Sequence, residues 1–93
     1  MSVPETSLIY IHGFNSSPAS HKAALLREVF ERAGCPERLH VPALPVEPKA
    51  AMAELDAVIA GAGPVALLGS SLGGFYATWL AEHHDLQAVI VNP

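Results

Sequence analysis

The stretch Val65-Ala66-Leu67-Leu68-Gly69-Ser70-Ser71-Leu72-Gly73-Gly74-Phe75-Tyr76-Ala77-Thr78-Trp79-Leu80 decides the fold. Val65 to Gly69 is an unbroken apolar run, the mark of a strand buried on both faces. It breaks sharply at Ser70-Ser71-Leu72-Gly73-Gly74, after which Phe75, Tyr76, Trp79, Leu80 and His83 recur at helical spacing, and Phe75, Tyr76 and Trp79 among them read as core. Strand, tight turn and helix thus follow one another with no linker.

Working outward, the same alternation continues in both directions. Ala88-Val89-Ile90-Val91 is a last strand, closed by Asn92-Pro93. Upstream, Met52, Leu55, Val58 and Ile59 mark a helix stopped by Gly61, Gly63 and Pro64, while the proline-punctuated Pro42 to Pro48 reads as a loop. Arg38-Leu39-His40-Val41 is a short strand. Leu25, Leu26, Val29, Phe30 and Ala33 form the apolar stripe of a helix that starts in the turn-rich Asn15 to Ser20 and ends at Gly34 and Pro36. Ser7-Leu8-Ile9-Tyr10-Ile11 is a further buried strand. The order βαβαβαβ predicts an α/β fold, a parallel sheet with helices on both faces. Residues 1–93 read as part of one such domain, because a buried-looking final strand with no covering helix after it implies missing C-terminal strands and helices.

Composition narrows the function. Half of the 93 residues are hydrophobic (51%) and 15% are charged, which excludes disorder. Nine acids against five Lys and Arg give a net charge of -4, which argues against nucleic acid as a partner, since phosphate affinity rests on basic side chains. The first residues lack the pattern of a signal peptide, and no segment reaches the ~18 apolar residues of a membrane span. With Cys35 as its single cysteine the chain suits a reducing compartment, and a cytoplasmic location without a membrane is expected.

Gly69-Ser70-Ser71-Leu72-Gly73 matches G-x-S-x-G in the strand-to-helix context that the motif requires. Ser71 holds the central position of a nucleophile, and Gly69 and Gly73 let strand and helix approach as in a nucleophile elbow. The N–H of Leu72, at the start of the helix, can donate to a developing oxyanion. A P-loop is excluded because Phe75 and Tyr76 stand where Lys and Ser or Thr would bind phosphate and Mg²⁺, and no G-x-G-x-x-G fingerprint occurs. His12-Gly13-Phe14 follows the first strand, where such hydrolases carry their second oxyanion donor, a role that suits the Phe14 N–H.

Ile9-Tyr10-Ile11-His12-Gly13-Phe14-Asn15-Ser16-Ser17-Pro18, Pro42-Ala43-Leu44-Pro45, the block from Gly69 to Leu80 and Val91-Asn92-Pro93 resemble the small bacterial YqiA-like esterases along nearly the whole chain. The resemblance implies an α/β-hydrolase core that cleaves small-molecule carboxylic esters or thioesters through an acyl-enzyme, without cofactor or metal, with Ser71 as nucleophile and Leu72 and Phe14 as oxyanion donors. Family members are longer, and the resemblance places their catalytic acid and histidine beyond the region that this chain covers.

The chain departs from the Ser, Asp, His order of the triad at this point. After Ser71 it offers only Glu82, His83, His84 and Asp85, and a helix rising 1.5 Å per residue sets His83 about 18 Å from the nucleophile. His83 and His84 instead suit a helix C-terminus, where their charge meets the dipole favourably. In the pattern of the family it resembles, His12 belongs to the oxyanion loop, and its place at the end of the first strand leaves it open as a substitute base; Phe75 and Phe14 could also line an acyl pocket, while His21, His40 and Cys35 read as surface or packing residues. A truncated hydrolase segment lacking its Asp and His is the expectation. The alternative is a non-catalytic binding module, or one subunit of a split enzyme, which pairs with another chain or a second copy through its uncovered final strand.

Overall fold

The computed structural model describes residues 6–12, 21–70 and 72–91. Four parallel strands, β1 (Ser7–Ile11), β2 (Leu39–His40), β3 (Val65–Ser70) and β4 (Ala88–Val91), form one sheet in the order β2-β1-β3-β4. Three helices join them: α1 (His21–Arg32), α2 (Pro48–Ala62) and α3 (Leu72–His84). The mixed α/β architecture with an all-parallel sheet is the one the sequence pattern predicts.

The two faces of the sheet are covered unequally. Side chains alternate along a strand, so Ile9, Ile11, Val65 and Leu67 point to one side, where Ala51, Leu55 and Ile59 of α2 and Tyr76, Ala77 and Leu80 of α3 complete a single buried cluster. Tyr10 and Ser70 point to the opposite side, and Lys22 of α1 reaches Ser70 there, which sets α1 on that face. Between β3 and β4 this second face remains open as an apolar groove lined by Leu8, Ala66, Leu68 and Val89.

Helix ends follow from local chemistry. α2 begins at Pro48, whose fixed φ suits the first helical position and whose missing N–H would have no partner there. Glu47 caps it, its carboxylate accepting from the Lys49 and Ala50 amides at 3.1 and 2.8 Å. The expectation that Pro48 ends a loop is thereby corrected. Gly61 lies inside α2, and Gly63, with φ of 70°, terminates it. Gly34, with φ of 77°, does the same after α1.

Two expected apolar stripes depart from the observed core. Leu25 and Val29 of α1 are exposed, and Ala23 is the helix's one buried residue, so α1 turns only a narrow, small-residue strip to the rest of the described structure. On α3, Tyr76 and Leu80 are buried as expected, whereas Phe75 is 68% and Trp79 39% exposed. The buried surface of α3 consists of Gly73, Gly74, Tyr76, Ala77 and Leu80, so Phe75 and Trp79 lie outward of it beside α2.

Candidate active site

In an open parallel sheet, ligands bind outside the carboxyl ends of the strands where the winding direction reverses. The chain moves from β1 outward to β2, then returns across β1 to β3 and continues to β4, so the reversal falls between β1 and β3. Ile11 is level with Gly69, and the two strands therefore end side by side at His12 and Ser70. The two sequence motifs, His12-Gly13-Phe14 and Gly69 to Gly73, depart from these two ends.

The glycines of the second motif are required by packing. A Cβ on Gly69 would collide with the backbone of the first turn of α3, 2.7 Å from the carbonyl carbon of Gly73 and from the Cα of Gly74. A Cβ on Gly73 would lie 2.9 Å from the His12 carbonyl oxygen and closer to the Ile11 carbonyl oxygen. Non-bonded carbon contacts settle near 3.5 Å, so neither position tolerates a side chain without backbone movement. α3 is consequently seated on the end of β1, its N-terminal amides opening toward the crevice between the strands. Leu72 is the first residue of α3, and its N–H has no acceptor within the helix.

Ser71, Gly13 and Phe14 lie outside the described residues, so their assignment as nucleophile and oxyanion loop rests on the sequence. His12 is buried at the end of β1. The remaining histidines are elsewhere: His21 is exposed at the start of α1, and His40 lines a groove with Ser7 and Pro64, at the amino ends of β1 and β3. His83 and His84 occupy the last turn of α3 as expected. His83 stacks on Trp79 and its Nδ1 lies 3.0 Å from the Trp79 carbonyl, while His84 Nε2 lies 2.9 Å from an Asp56 carboxylate oxygen. Both are at the opposite end of α3 from Leu72. Among the described residues, no three His, Cys, Asp or Glu side chains converge as a metal site would.

One contact was not legible in the motifs. Lys22 Nζ lies 3.3 Å from Ser70 Oγ, joining α1 to the last residue of β3 across 48 positions. A lysine in the first turn of a helix, against the dipole, was the available signal. Phe75, Tyr76 and Trp79 face Met52 and Ala53 across a largely apolar groove of about 470 Å³ between α2 and α3, both of which start at the carboxyl edge of the sheet.

No helix among the described residues is long and apolar enough to cross a membrane. Over residues 7–93 the sequence matches the model of an uncharacterised protein family, UPF0227, a span that includes every strand, every helix and both motifs. The chain belongs to this family, that of the YqiA-like proteins.

Proposed function

We propose that the chain carries the nucleophile and oxyanion portion of a cytoplasmic serine hydrolase that cleaves carboxylic ester or thioester bonds. The observation that carries this reading is the position of Gly69-Ser70-Ser71-Leu72-Gly73: it joins a central strand directly to a helix at the reversal point of the sheet, with Gly69 and Gly73 packed too closely for any side chain.

In this mechanism Ser71 Oγ attacks the substrate carbonyl carbon and gives its proton to a general base. The carbonyl oxygen becomes an oxyanion, which accepts hydrogen bonds from the Leu72 and Phe14 amides. Collapse of the tetrahedral intermediate breaks the C–O or C–S bond, and the alcohol or thiol leaves with the proton. Water then attacks the acyl-serine by the same route and restores the hydroxyl. His83 and His84, at the opposite end of α3 from Leu72, are too distant to serve as the base. The groove beside Phe75 and Trp79 suits the apolar part of a substrate.

Hydrolysis of a short-chain p-nitrophenyl ester by the natural polypeptide that carries this sequence tests the reading. Ser71→Ala is expected to lower kcat by at least about 10³-fold; turnover unchanged by the substitution refutes it.

A second reading is favoured by β4, which stands last in the order of the described strands. Among the described residues it is an edge strand that exposes Val89 and Ile90, and the apolar groove beside it is lined by Leu8, Ala66 and Leu68. A binding module would pair this edge with a second copy or another chain. Sedimentation equilibrium should then show concentration-dependent association that Val89→Lys abolishes; a monomer at all concentrations removes the self-pairing form of this reading.

A further inference from the structure

Lys22 occupies the second position of α1, partly buried, with its ammonium 3.3 Å from the hydroxyl of the buried Ser70. Two features make this placement unusual. The N-terminus of a helix carries a partial positive charge, so a cation there is disfavoured, and the first turn of α1 holds no acid to offset it. A lysine stem also normally runs outward so that its ammonium reaches water, whereas this one turns toward the sheet and meets the final residue of β3.

The consequence is electrostatic. α1 and α3 both begin at the carboxyl edge, and their N-terminal amides, together with the Lys22 ammonium, gather positive potential around the crevice between β1 and β3 in a chain whose net charge is -4. Such a field favours negative charge developing on a bound substrate. Ser70 adjoins Ser71 in the chain, so fixing its hydroxyl also limits how the turn can shift.

We propose that Lys22 is a positioning residue of the nucleophile turn: its ammonium holds Ser70 in place and biases the crevice toward the oxyanion, without touching the substrate. This inference rests on the reading of Ser71 as nucleophile. It has no covalent role, since Lys22 meets the residue before the nucleophile.

The test separates charge from packing, using the natural polypeptide and a p-nitrophenyl ester. Lys22→Met keeps the stem and removes the charge; Lys22→Arg keeps the charge. The methionine variant should lose about tenfold in kcat, the scale of one charge acting through a partly solvated medium, with KM within about twofold and unchanged thermal unfolding. The arginine variant should recover most of the loss. Ser70→Ala, which keeps the lysine and removes its acceptor, should lower kcat in the same direction and provides the measurement if Lys22→Met does not fold. Wild-type kinetics in the methionine and Ser70→Ala variants, or an arginine variant as slow as the methionine one, would overturn the proposal. Failure of Ser71 as nucleophile is distinguishable: the wild-type protein itself then shows no Ser71-dependent turnover.

Discussion

Gly73→Ala poses the sharpest question about how the candidate site is built. Were there room, alanine in a helix would be favoured over glycine by about 1 kcal/mol. The added Cβ meets instead the carbonyl of Ile11, whose carbon lies 2.7 Å away, and the His12 carbonyl oxygen at 2.9 Å. These are backbone atoms of the last residue of β1, which pairs with Gly69 of β3, and of the residue that follows it, so relief requires α3 to lift from the strand. Overpacking in a tight core costs about 1–3 kcal/mol, and a collision with backbone belongs at the upper end. Subtracting the propensity gain leaves a net destabilisation of about 2 kcal/mol, or a fall in Tm of roughly 8–16 °C for a domain of this size. Gly61→Ala is the control: Gly61 is also helical, but nothing lies within 4 Å of its added Cβ, so that variant should gain about 0.5–1 kcal/mol. Parallel thermal and urea unfolding of both variants measures the difference directly. A Gly73→Ala protein as stable as wild type would refute the close seating of α3 on β1.

Two further outcomes follow from the packing. Glu47→Ala removes the carboxylate that caps α2 and should cost about 1 kcal/mol in urea unfolding, with KM for an ester substrate unchanged. Leu55→Ala, at a fully buried position between α2 and the sheet, should cost about 2–5 kcal/mol, whereas Leu25→Ala on the exposed side of α1 should stay within about 0.5 kcal/mol; equal effects would contradict the observed burial.

Three strands were legible because residues buried on both faces leave continuous apolar runs: Ser7 to Ile11 and Ala88 to Val91 appear in the structure with the bounds that the sequence suggests, and Val65 to Gly69 extends by one residue to Ser70, whereas the expected strand Arg38 to Val41 contracts to Leu39–His40, with Arg38 closing a short 3-10 helix. Helix surfaces were less legible, since periodicity reports which residues share a stripe and not what covers it. Phe75 and Trp79 share the spacing of Tyr76 and Leu80 yet lie outward, because the glycines at 73 and 74 bring the opposite side of α3 against the strands. Pro48 was read as loop because proline punctuates loops and first helical turns alike, and the Glu47 cap that distinguishes them uses a residue outside the usual capping set. The sheet order and the contact of Lys22 with Ser70 depend on long-range packing that no local pattern records. The elbow glycines were read from a motif, and their packing supplies an independent physical reason for them; the roles of Ser71 and Phe14 rest on the sequence alone.

The most direct measurement of the central claim is the site of covalent capture: the natural polypeptide is treated with a fluorophosphonate, its intact mass is recorded and the adduct is mapped by peptide sequencing. A single adduct on Ser71, absent from Ser71→Ala, is expected. An unmodified protein, or an adduct elsewhere that persists in Ser71→Ala, would contradict it.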